Sequence, residues 1–412
     1  MGFFKSHDRC CSDVKKQIKM SRLKSLKDFS KIKGKKIFLR VDFNVPISGG
    51  RVSDITKIEK LKSNIEKLLD QNCKIILASH LGRPQKNGKS GLSLLPVKNV
   101  AEKIFNQQIN FLEINKKTKE DIDTSDNQMF MLENLRFDPG EENNSNEYGE
   151  LLSTFADIYI NEAFSCSHRS HASIDAITQF IESFAGPSII DEVDALEKVF
   201  LNSKKPVACL IGGSKISTKI DLIINLMPKM DFMIIGGAMA NTFFKEKGFN
   251  VGKSLVESNV GDTIKQIYQE ANRFQCELIL PEDVICSKKF DQPGVNKKLE
   301  EVNEDDIILD IGITSTEKID EIIKKSKTVL WNGPFGLFEY DDFANGTNDI
   351  SKSIAKYSLN NNLISVAGGG DTFAAIKKSN QQNNFTYIST AGGAFLEWLE
   401  GKILPGLKVL EK

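Results

Sequence analysis

The chain has 412 residues, more than one ordinary domain usually contains, so we expect two or three domains. Its hydrophobic share of 40% and charged share of 27% are typical of globular proteins and exclude a disordered chain or a small disulfide-rich scaffold. The 55 basic and 55 acidic residues cancel, which argues against a nucleic-acid partner, and no apolar run approaches the ~18 residues of a membrane-spanning helix, which argues against integral membrane association.

Residues 1–19 lack the patterns of the rest of the chain and the apolar core of a signal peptide. They match Met-Gly-x-x-x-Ser through Gly2 and Ser6, and two cysteines and several lysines follow. Two interpretations remain open. One is a myristoyl group on Gly2 with a second acyl chain on a cysteine, and the other is an upstream start codon with Met20 opening the ordinary N-terminus.

The seven cysteines are scattered, odd in number and never spaced as Cys-x-x-Cys. This usage predicts a reducing, cytoplasmic compartment, with Cys73 and Cys209 as small core residues. Cys166, His168 and His171 stand close together in the sequence. Because no second pair of ligands occurs at zinc spacing, we expect no zinc site there.

From residue 20 onward, short apolar strands alternate with amphipathic helical stretches. This alternation predicts an α/β fold with parallel sheets covered by helices on both faces. A helix expected over 190–202 would connect the two halves of the chain. The predicted strands are 36–43, 74–78, 129–133, 157–161, 206–211, 231–235, 277–280, 327–331, 363–367 and 385–389, and the helices predicted in the first half are 58–70 and 96–106.

Arginine is rare: only eight of the 55 basic residues are arginine, and half of these eight follow predicted strands. Arg40 is followed by Asp42 and Asn44, and strand alternation places these three side chains on one face. The other polar residues at strand ends in the first half are His80, Arg83, Arg136 and Arg169. Because a guanidinium offers a planar fork to phosphate and carboxylate, the set predicts a pocket for a small, strongly negative ligand.

In the second half, the predicted strands run into glycine. These glycines are Gly212, Gly213, Gly236, Gly237, Gly312, Gly333, Gly368, Gly369, Gly370, Gly392 and Gly393. We expect the strand ends along one sheet edge, where the missing side chains leave room for a nucleotide and let backbone N–H groups approach phosphates. Lys215 and Lys219 are spaced four apart at the expected start of a helix, so we predict that both face the phosphates.

Seven motifs, in this order, resemble the phosphoglycerate kinase family: RVDFNVP, SHLGRP, LENLRF, GGSKISTK, WNGPFGLFE, GGGDT and STAGGAFLEWLEGK. The resemblance covers about residues 20–412 and implies two Rossmann-like domains, each a mostly parallel sheet covered by helices on both faces. The implied divisions are a 3-phosphoglycerate-binding domain over 20–188, a hinge helix over 189–203, a nucleotide-binding domain over 204–390 and a segment over 391–412 that returns to the first domain.

The resemblance also implies the reaction. A phosphoryl group moves reversibly between 1,3-bisphosphoglycerate and ADP, giving 3-phosphoglycerate and ATP, with Mg²⁺ bound to the nucleotide. Hinge closure would expel water from the reacting groups. The implied enzyme is a cytoplasmic monomer whose partners are these small molecules.

Site residues follow from the matching motifs. The implied substrate-binding residues are Arg40, Asp42, Phe43, Asn44, Lys57, His80, Leu81, Gly82, Arg83, Arg136 and Arg169. The implied nucleotide-binding residues are Gly212, Gly213, Lys215, Lys219, Gly236, Gly237, Asn332, Pro334, Glu339, Gly369, Gly370, Asp371 and Thr372, with Asp371 toward Mg²⁺. The implied catalytic residues are Lys57, Lys215, Gly370 and Gly393. This set suits phosphoryl transfer, which needs positioning and positive charge around the moving oxygens.

The chain departs from the family pattern at Lys57, where the family has the arginine usually assigned to the transferring phosphoryl group. Lysine keeps the charge and loses the fork. A second interpretation makes Lys57 a solvated lysine on the helix expected over 58–70. Together with the N-terminal extension, the departure leaves open a catalytically weak, N-terminally acylated relative that acts as a binding protein. A different acyl-phosphate kinase is a further alternative, which shares the chemistry but would not explain the N-terminal motifs.

Overall fold

The residues described in the computed structural model are 23–26, 29–84, 88–200, 203–360 and 363–412. The N-terminal extension, with both interpretations of it, lies outside them. The chain forms two compact units: the first contains the chain up to Val193 together with Ile403–Lys412, and the second contains Asp194–Lys402.

The first unit is built on a parallel sheet. Its described strands are β1 (Lys36–Arg40), β2 (Ile47–Ser48), β3 (Arg51–Val52), β4 (Lys74–Ala78), β5 (Asn110–Leu112), β6 (Met129–Leu132), β7 (Ile158–Asn161) and β8 (Glu182–Ala185). Strands β2 and β3 form a separate antiparallel hairpin, and the others pair in parallel in the order β5-β6-β4-β1-β7-β8. Strand β1 is central and buried along most of its length, as expected for a parallel sheet covered on both faces.

Helices cover this sheet. They are α1 (Thr56–Glu59), α2 (Lys62–Asp70), α3 (Leu95–Phe105), α4 (Thr118–Thr124), α5 (Pro139–Glu142), α6 (Asn146–Ser153) and α7 (Pro187–Phe200). Helix α3 has proline in its first turn, buries Val97, Ala101 and Phe105 on one face, and ends at Asn106 in the left-handed conformation. The helix predicted over 58–70 is divided into α1 and α2, and the division between the units falls within α7.

The second unit holds another parallel sheet and a small antiparallel one. Its described strands are β9 (Val207–Ile211), β10 (Phe232–Ile235), β11 (Glu277–Ile279), β12 (Asp283–Ser287), β13 (Val295–Lys298), β14 (Ile307–Ile311), β15 (Thr328–Asn332), β16 (Ile364–Gly368) and β17 (Tyr387–Ser389). The parallel sheet has the order β11-β10-β9-β15-β16-β17, and the antiparallel sheet has the order β13-β12-β14.

The remaining helices are α8 (Ile220–Leu226), α9 (Ala238–Glu246), α10 (Gly261–Phe274), α11 (Ile313–Lys325), α12 (Asn345–Asn360), α13 (Gly370–Lys378), α14 (Gly393–Leu399) and α15 (Pro405–Lys408). The predicted α/β fold class, with parallel sheets flanked by helices, is confirmed. Among all the helices described, none is both long enough and apolar enough to cross a bilayer.

Two expectations about strand ends are wrong. The strand predicted over 36–43 ends at Arg40, because the chain then turns out of the sheet. Gly312 does not lie with the other strand-end glycines along the parallel sheet, since it follows β14 of the antiparallel sheet. A Cβ atom at Gly312 would lie 2.2 Å from Cγ of Asp283, so this glycine allows close packing of β14 on β12.

Ile403–Lys412, the C-terminal part of the segment expected over 391–412, packs into the first unit. Leu404, Leu407 and Leu410 are fully buried, and the Lys24 N–H donates to the Leu410 carbonyl oxygen at 2.8 Å. The Gly406 N–H donates to the Ser167 carbonyl oxygen at 2.9 Å. The segment therefore supports the turn that follows β7.

Candidate functional site

Two turns follow β1 and β4 at the carboxyl edge of the first sheet. In the first, Phe43 is fully buried, Asp42 is half-buried and Asn44 is exposed. The Phe43 N–H donates to Ser79 Oγ at 2.9 Å, and the Gly82 N–H donates to Asn44 Oδ1 at 3.0 Å. These bonds hold the two turns together and leave the Asp42 carboxylate near the surface.

Lys57, in the short helix α1, reaches back to the first turn. Its Nζ donates to Asp42 Oδ2 at 2.7 Å and to the Asn44 carbonyl oxygen at 3.2 Å. Ser165 Oγ also donates to Asp42 Oδ2, at 2.5 Å. Burial acts to raise the pKa of Asp42, but the Lys57 ammonium and these hydrogen bonds outweigh it and hold that pKa below its usual value. The carboxylate is therefore ionised, with Lys57 as its partner.

Arg40 lies deeper than the sequence predicts. Its side chain is 0% exposed, and NH2 lies 3.2 Å from Nδ1 of His80. Burial, followed by the charge of Arg40, holds the pKa of His80 well below its usual value, so the ring is neutral. Leu81, next to His80, is also buried, and its N–H donates to Asn134 Oδ1 at 3.1 Å.

Further cations surround this pocket. Arg136 is 2% exposed and is held by the Gly82 carbonyl oxygen at 2.6 Å and by Glu142 at 3.2 Å. Arg169 is half-buried and donates from Nε to His168 Nε2 at 3.0 Å, while Arg83 is exposed. Burial and then the Arg169 charge lower the pKa of His168 to about 4. The structure thus brings Arg136 and Arg169 together with His80, since both arginines act on the pKa of that ring.

Sequence reasoning missed Ser165 and His168 as members of this pocket. Both lie beside Cys166, in the segment from which the sequence predicted only Arg169 as a member of the anion pocket. In the described chain, ligand atoms of Asp42, His80 and Cys166 lie within 4.8 Å of one another. The Arg40 guanidinium faces His80 and the Lys57 ammonium faces Asp42, so two positive charges would repel a metal ion at this place. The arrangement therefore suits an anion better than a cation.

In the second unit, the turns after β9 and β15 touch. A Cβ atom at Gly212 would lie 2.0 Å from the Pro334 carbonyl oxygen, so only glycine allows this approach. Lys219 Nζ donates to the Gly212 carbonyl oxygen at 2.7 Å and to Asn332 Oδ1 at 2.6 Å. Burial lowers the pKa of Lys219 to about 8. Lys219 therefore places an ammonium group with a lowered pKa beside the glycine turns.

The helix expected to carry Lys215 and Lys219 begins later than predicted. Helix α8 begins at Ile220, so the prediction that the two lysines lie one helical turn apart is wrong. Residues 214–219 are not helical, and Lys215 is exposed. The Ser217 N–H donates to a Glu257 carboxylate oxygen at 3.1 Å, and the Ser217 hydroxyl donates to the other oxygen. Glu257 thus fixes the segment that presents Lys215, a role with no signal in the sequence pattern.

A cavity of about 520 Å³ opens beside these turns. Its wall is formed by the glycine turns at Gly213 and Gly237, by apolar side chains such as Leu309 and by Pro334. Exposed carboxylates of Glu339 and Asp371 also line it. The shape and lining suit a flat apolar ring with a polar and charged tail.

The charged end of the cavity lies at the start of α13. Gly369 precedes the helix with φ +104°, and Asp371 stands in the first turn. Thr372 is buried: its Oγ1 accepts the Gly333 N–H at 2.7 Å and donates to the Gly368 carbonyl oxygen at 2.9 Å. Gly370 is exposed, so its backbone N–H at the helix start can face a phosphate. Gly393 opens α14 in the same way.

The chain is similar in sequence to known proteins. The sequence model of "Phosphoglycerate kinase" matches residues 26–402. The phosphoglycerate kinase of Bartonella quintana (strain Toulouse) is 42% identical over 386 residues, covering 92% of this chain and 97% of that protein. That of Chelativorans sp. (strain BNC1) is 41% identical over 398 residues, covering 95% and 100%.

Solved structures are also similar. The structure of phosphoglycerate kinase from Coxiella burnetii has a TM-score of 0.83 at 35% identity, covering 92% of this chain and 96% of that one. The phosphoglycerate kinase structure from Pyrococcus horikoshii OT3 has a TM-score of 0.80 at 28% identity, covering 94% and 98%.

Proposed function

Since this chain belongs to the phosphoglycerate kinase family and is a phosphotransferase, we propose that its residues carry out reversible phosphoryl transfer between 1,3-bisphosphoglycerate and ADP, giving 3-phosphoglycerate and ATP. The observation that carries the proposal is that one chain contains two kinds of binding site. The first unit has an anion pocket with several cations, and the second has a glycine-walled cavity of nucleotide size. The alternative, a binding protein of weak activity, has no support among the relatives.

On the acceptor side, the cationic pocket binds the three-carbon acid. Arg136, Arg169 and Arg83 supply positive charge to the phosphate of 3-phosphoglycerate, and Arg169 is oriented by His168. Asp42 and Asn44 accept hydrogen bonds from the substrate hydroxyl. Because a charge-assisted bond is about twice as strong as a neutral one, the arginines supply most of the affinity.

Lys57 is the group that stabilises the phosphoryl group in transfer. Its side chain is 29% exposed and its ammonium is bound to Asp42, so the ammonium can turn toward an incoming anion. A preorganised cation stabilises the charge on the equatorial oxygens of the moving group. Lys57 presents this charge at a single point, without the bidentate fork of arginine.

On the nucleotide side, the base enters the cavity between the glycine turns and Leu309. The Glu339 carboxylate accepts hydrogen bonds from the ribose hydroxyls. Lys219, Lys215 and the N–H groups at the start of α13 hold the phosphates. Gly393 supplies a backbone donor near the moving phosphoryl group.

We propose Mg²⁺ as the metal that accompanies the nucleotide. The donor set fits this ion, since Mg²⁺ prefers hard oxygen ligands and is usually held by one or two carboxylates together with substrate phosphates. Asp371 offers an exposed carboxylate on the cavity wall, with Gly213 and Ser214 in the same lining. When bound, Mg²⁺ neutralises charge on the phosphate oxygens.

We further propose a monomer in the cytoplasm. Each set of substrate-binding residues comes from within a single unit of one chain. The cysteines of the described chain, Cys73, Cys166, Cys209, Cys276 and Cys286, are all free and buried, which suits a reducing compartment. The equal numbers of basic and acidic residues favour small-molecule partners over nucleic acid. Sedimentation of the purified chain tests the monomer.

A direct assay tests the activity. The full chain is incubated with 1,3-bisphosphoglycerate, ADP and Mg²⁺, and the ATP formed is measured. Acetyl phosphate in place of 1,3-bisphosphoglycerate is the control donor, since it has the same acyl phosphate without the second phosphate. ATP from 1,3-bisphosphoglycerate alone is the expected result. Equal rates with both donors would overturn the substrate, and no ATP from either would overturn the function.

A further inference from the structure

Each nitrogen of the Arg40 guanidinium already has a hydrogen-bond partner inside the protein. Nε donates to Ser173 Oγ at 2.8 Å, and NH1 donates to the Val41 carbonyl oxygen at 2.5 Å. NH2 faces His80 Nδ1 at 3.2 Å. Since the side chain is 0% exposed, Arg40 cannot reach a substrate without giving up these bonds. Arg40 therefore acts on the substrate site through the residues it binds, among them His80.

Behind Arg40 lies a buried carboxylate. Glu141 is 0% exposed, and its Oε1 accepts the Ser173 hydroxyl at 2.6 Å while Oε2 accepts the Ser173 N–H at 2.9 Å. The single hydroxyl proton of Ser173 is therefore committed to Glu141. It follows that Ser173 Oγ accepts a hydrogen bond from Arg40 Nε. Arg40 therefore donates to Ser173, and Ser173 donates to Glu141.

At the other end, Arg40 contacts Nδ1 of His80, and Cys166 Sγ lies 3.7 Å from the same nitrogen. A guanidinium has no acceptor atom, so the bond to Nδ1 requires Nδ1 to be unprotonated. A neutral imidazole then carries its proton on Nε2. Within the described part of the chain, Nε2 has no hydrogen-bond partner. The proton that His80 can donate is thus directed to a ligand rather than to the protein.

We propose that Glu141 and Ser173 are positioning residues, which act through Arg40 to hold His80 as a neutral Nε2–H donor for an anionic oxygen of the bound substrate. The naming of that substrate as 3-phosphoglycerate rests on the proposed function. The tautomer and its cause rest on the geometry alone.

The charges around the chain agree with this role. The Glu141 carboxylate also lies 3.7 Å from His171 Nδ1 and 3.9 Å from Arg40 NH2. The carboxylate therefore balances the buried guanidinium, which would otherwise be very costly to keep away from water. His80 is also surrounded by the charges of Arg136, Arg169 and His171, which oppose a second proton on the ring. The neutral Nε2–H of His80 therefore adds a directional hydrogen bond to a pocket that already holds several cations.

The first test reads the His80 ring directly. Long-range ¹H–¹⁵N spectra of the full chain labelled in histidine are recorded between pH 6 and 8, and the His80 signals are assigned with the His80→Gln variant. The expected result is a single proton on Nε2 and none on Nδ1 over this whole range. A proton on Nδ1, or titration within the range, would overturn the proposal. Because the test needs no turnover, it is independent of the proposed function.

The second test breaks the chain at Ser173. Ser173→Ala removes the acceptor of Arg40 Nε and a donor to Glu141, and we expect mixed His80 tautomers and a KM for 3-phosphoglycerate raised on the order of 10-fold. The KM for ATP should stay within about twofold. Ser183→Ala is the matched control. Ser183 is also a buried serine of the first unit, and within the described residues its hydroxyl bonds only to the Ile181 carbonyl oxygen, at 2.8 Å.

The outcomes separate positioning from general stability. If Ser173→Ala leaves the tautomer and the KM for 3-phosphoglycerate no more altered than Ser183→Ala does, the proposal is wrong. If Ser173→Ala does not fold, Glu141→Gln takes its place, because it keeps the size of the side chain and removes the charge behind Arg40. A normal tautomer in folded Glu141→Gln, with unchanged KM, would also overturn the proposal.

Discussion

Nζ of Lys57 lies 2.7 Å from Oδ2 of Asp42, although 15 positions separate the two residues in the sequence. The bond ties the short helix α1 to the turn after β1. Lys57 is therefore a paired residue of the anion pocket and differs from a solvated lysine on a helix surface. Under the proposed function, Lys57 would exchange the Asp42 carboxylate for the oxygens of the phosphoryl group during transfer.

Removing this ammonium should slow the chemical step. We expect Lys57→Ala to lower kcat on the order of 10²-fold or more, as for the loss of a preorganised electrostatic stabiliser. Lys57→Arg should leave substrate affinities about unchanged and maintain or raise kcat, because the interaction is made mainly to the transferring charge. Steady-state kinetics measure both, with the exposed Lys62→Ala as the control. Turnover near that of the unaltered chain in Lys57→Ala would show that another group does this work.

The arginines of the pocket should affect the two substrates unequally. We expect Arg136→Ala and Arg169→Ala to weaken 3-phosphoglycerate by about 1.5–3 kcal/mol each, through loss of a charge-assisted contact. The KM for ATP should change little, and Lys219→Ala should show the opposite bias. Arg51→Ala is the control, since Arg51 is an exposed arginine of the same unit. A KM for ATP that rises as much as that for 3-phosphoglycerate would contradict the assignment of the two sites.

Nucleotide use should depend on pH through Lys219. Burial lowers its pKa to about 8, so below that pH the side chain is charged, and above it the neutral amine no longer attracts phosphate. We expect kcat/KM for ATP, which reports groups of the free enzyme, to fall as the pH rises through about 8. Lys219→Arg should remove this fall, because arginine stays charged. The same fall in both proteins would assign the titration to a different group.

Asp371 should set the requirement for Mg²⁺. We expect Asp371→Asn to raise the Mg²⁺ concentration for half-maximal activity on the order of 10-fold, because an amide oxygen lacks the charge of a carboxylate. Asp342→Asn, at another exposed aspartate of the second unit, should leave it unchanged. The measurement is a Mg²⁺ titration at fixed total ATP. Equal Mg²⁺ requirements in the two variants would place the metal elsewhere.

A substitution at Gly406, far in sequence from the anion pocket, should still affect substrate binding in that pocket. A Cβ atom at Gly406 would lie 2.7 Å from Cγ2 of Ile174 and 2.9 Å from Cα of Ser167. We expect Gly406→Ala to displace the turn that carries His168 and Arg169 and to raise the KM for 3-phosphoglycerate more than that for ATP. Lys408→Ala, on the exposed side of the same helix, is the control. An unchanged KM for 3-phosphoglycerate in a folded Gly406→Ala would contradict this support.

Much of the fold could be predicted because its central strands are short apolar runs such as Lys74–Ala78 and Val207–Ile211. Strand β13 of the small antiparallel sheet could not, since Val295–Lys298 is mostly exposed and carries no alternating apolar pattern. Edge strands such as Asn110–Leu112 are only half-buried and were missed for the same reason.

The site could be predicted only in part. Motifs indicate Arg40 and Asp42, but several of their hydrogen-bond partners are distant in sequence. Arg40 and Ser173, for example, are 133 positions apart. A local pattern also cannot show that Arg40 lies beneath the pocket, because an arginine at a strand end can face inward or outward. Buried carboxylates such as Glu141 have no signal until the fold brings their partners together.

The position of Ile403–Lys412 has a consequence for the order in which the protein is made. The second unit is continuous in sequence, so the ribosome delivers all of Asp194–Lys402 before the residues that complete the first unit. A nascent chain that already contains every arginine of the anion pocket still lacks the Gly406 backbone bond under Ser167. The unit that begins to emerge first is therefore the last to mature, and during synthesis the nucleotide cavity can form while the binding turn for the acid is still unsupported.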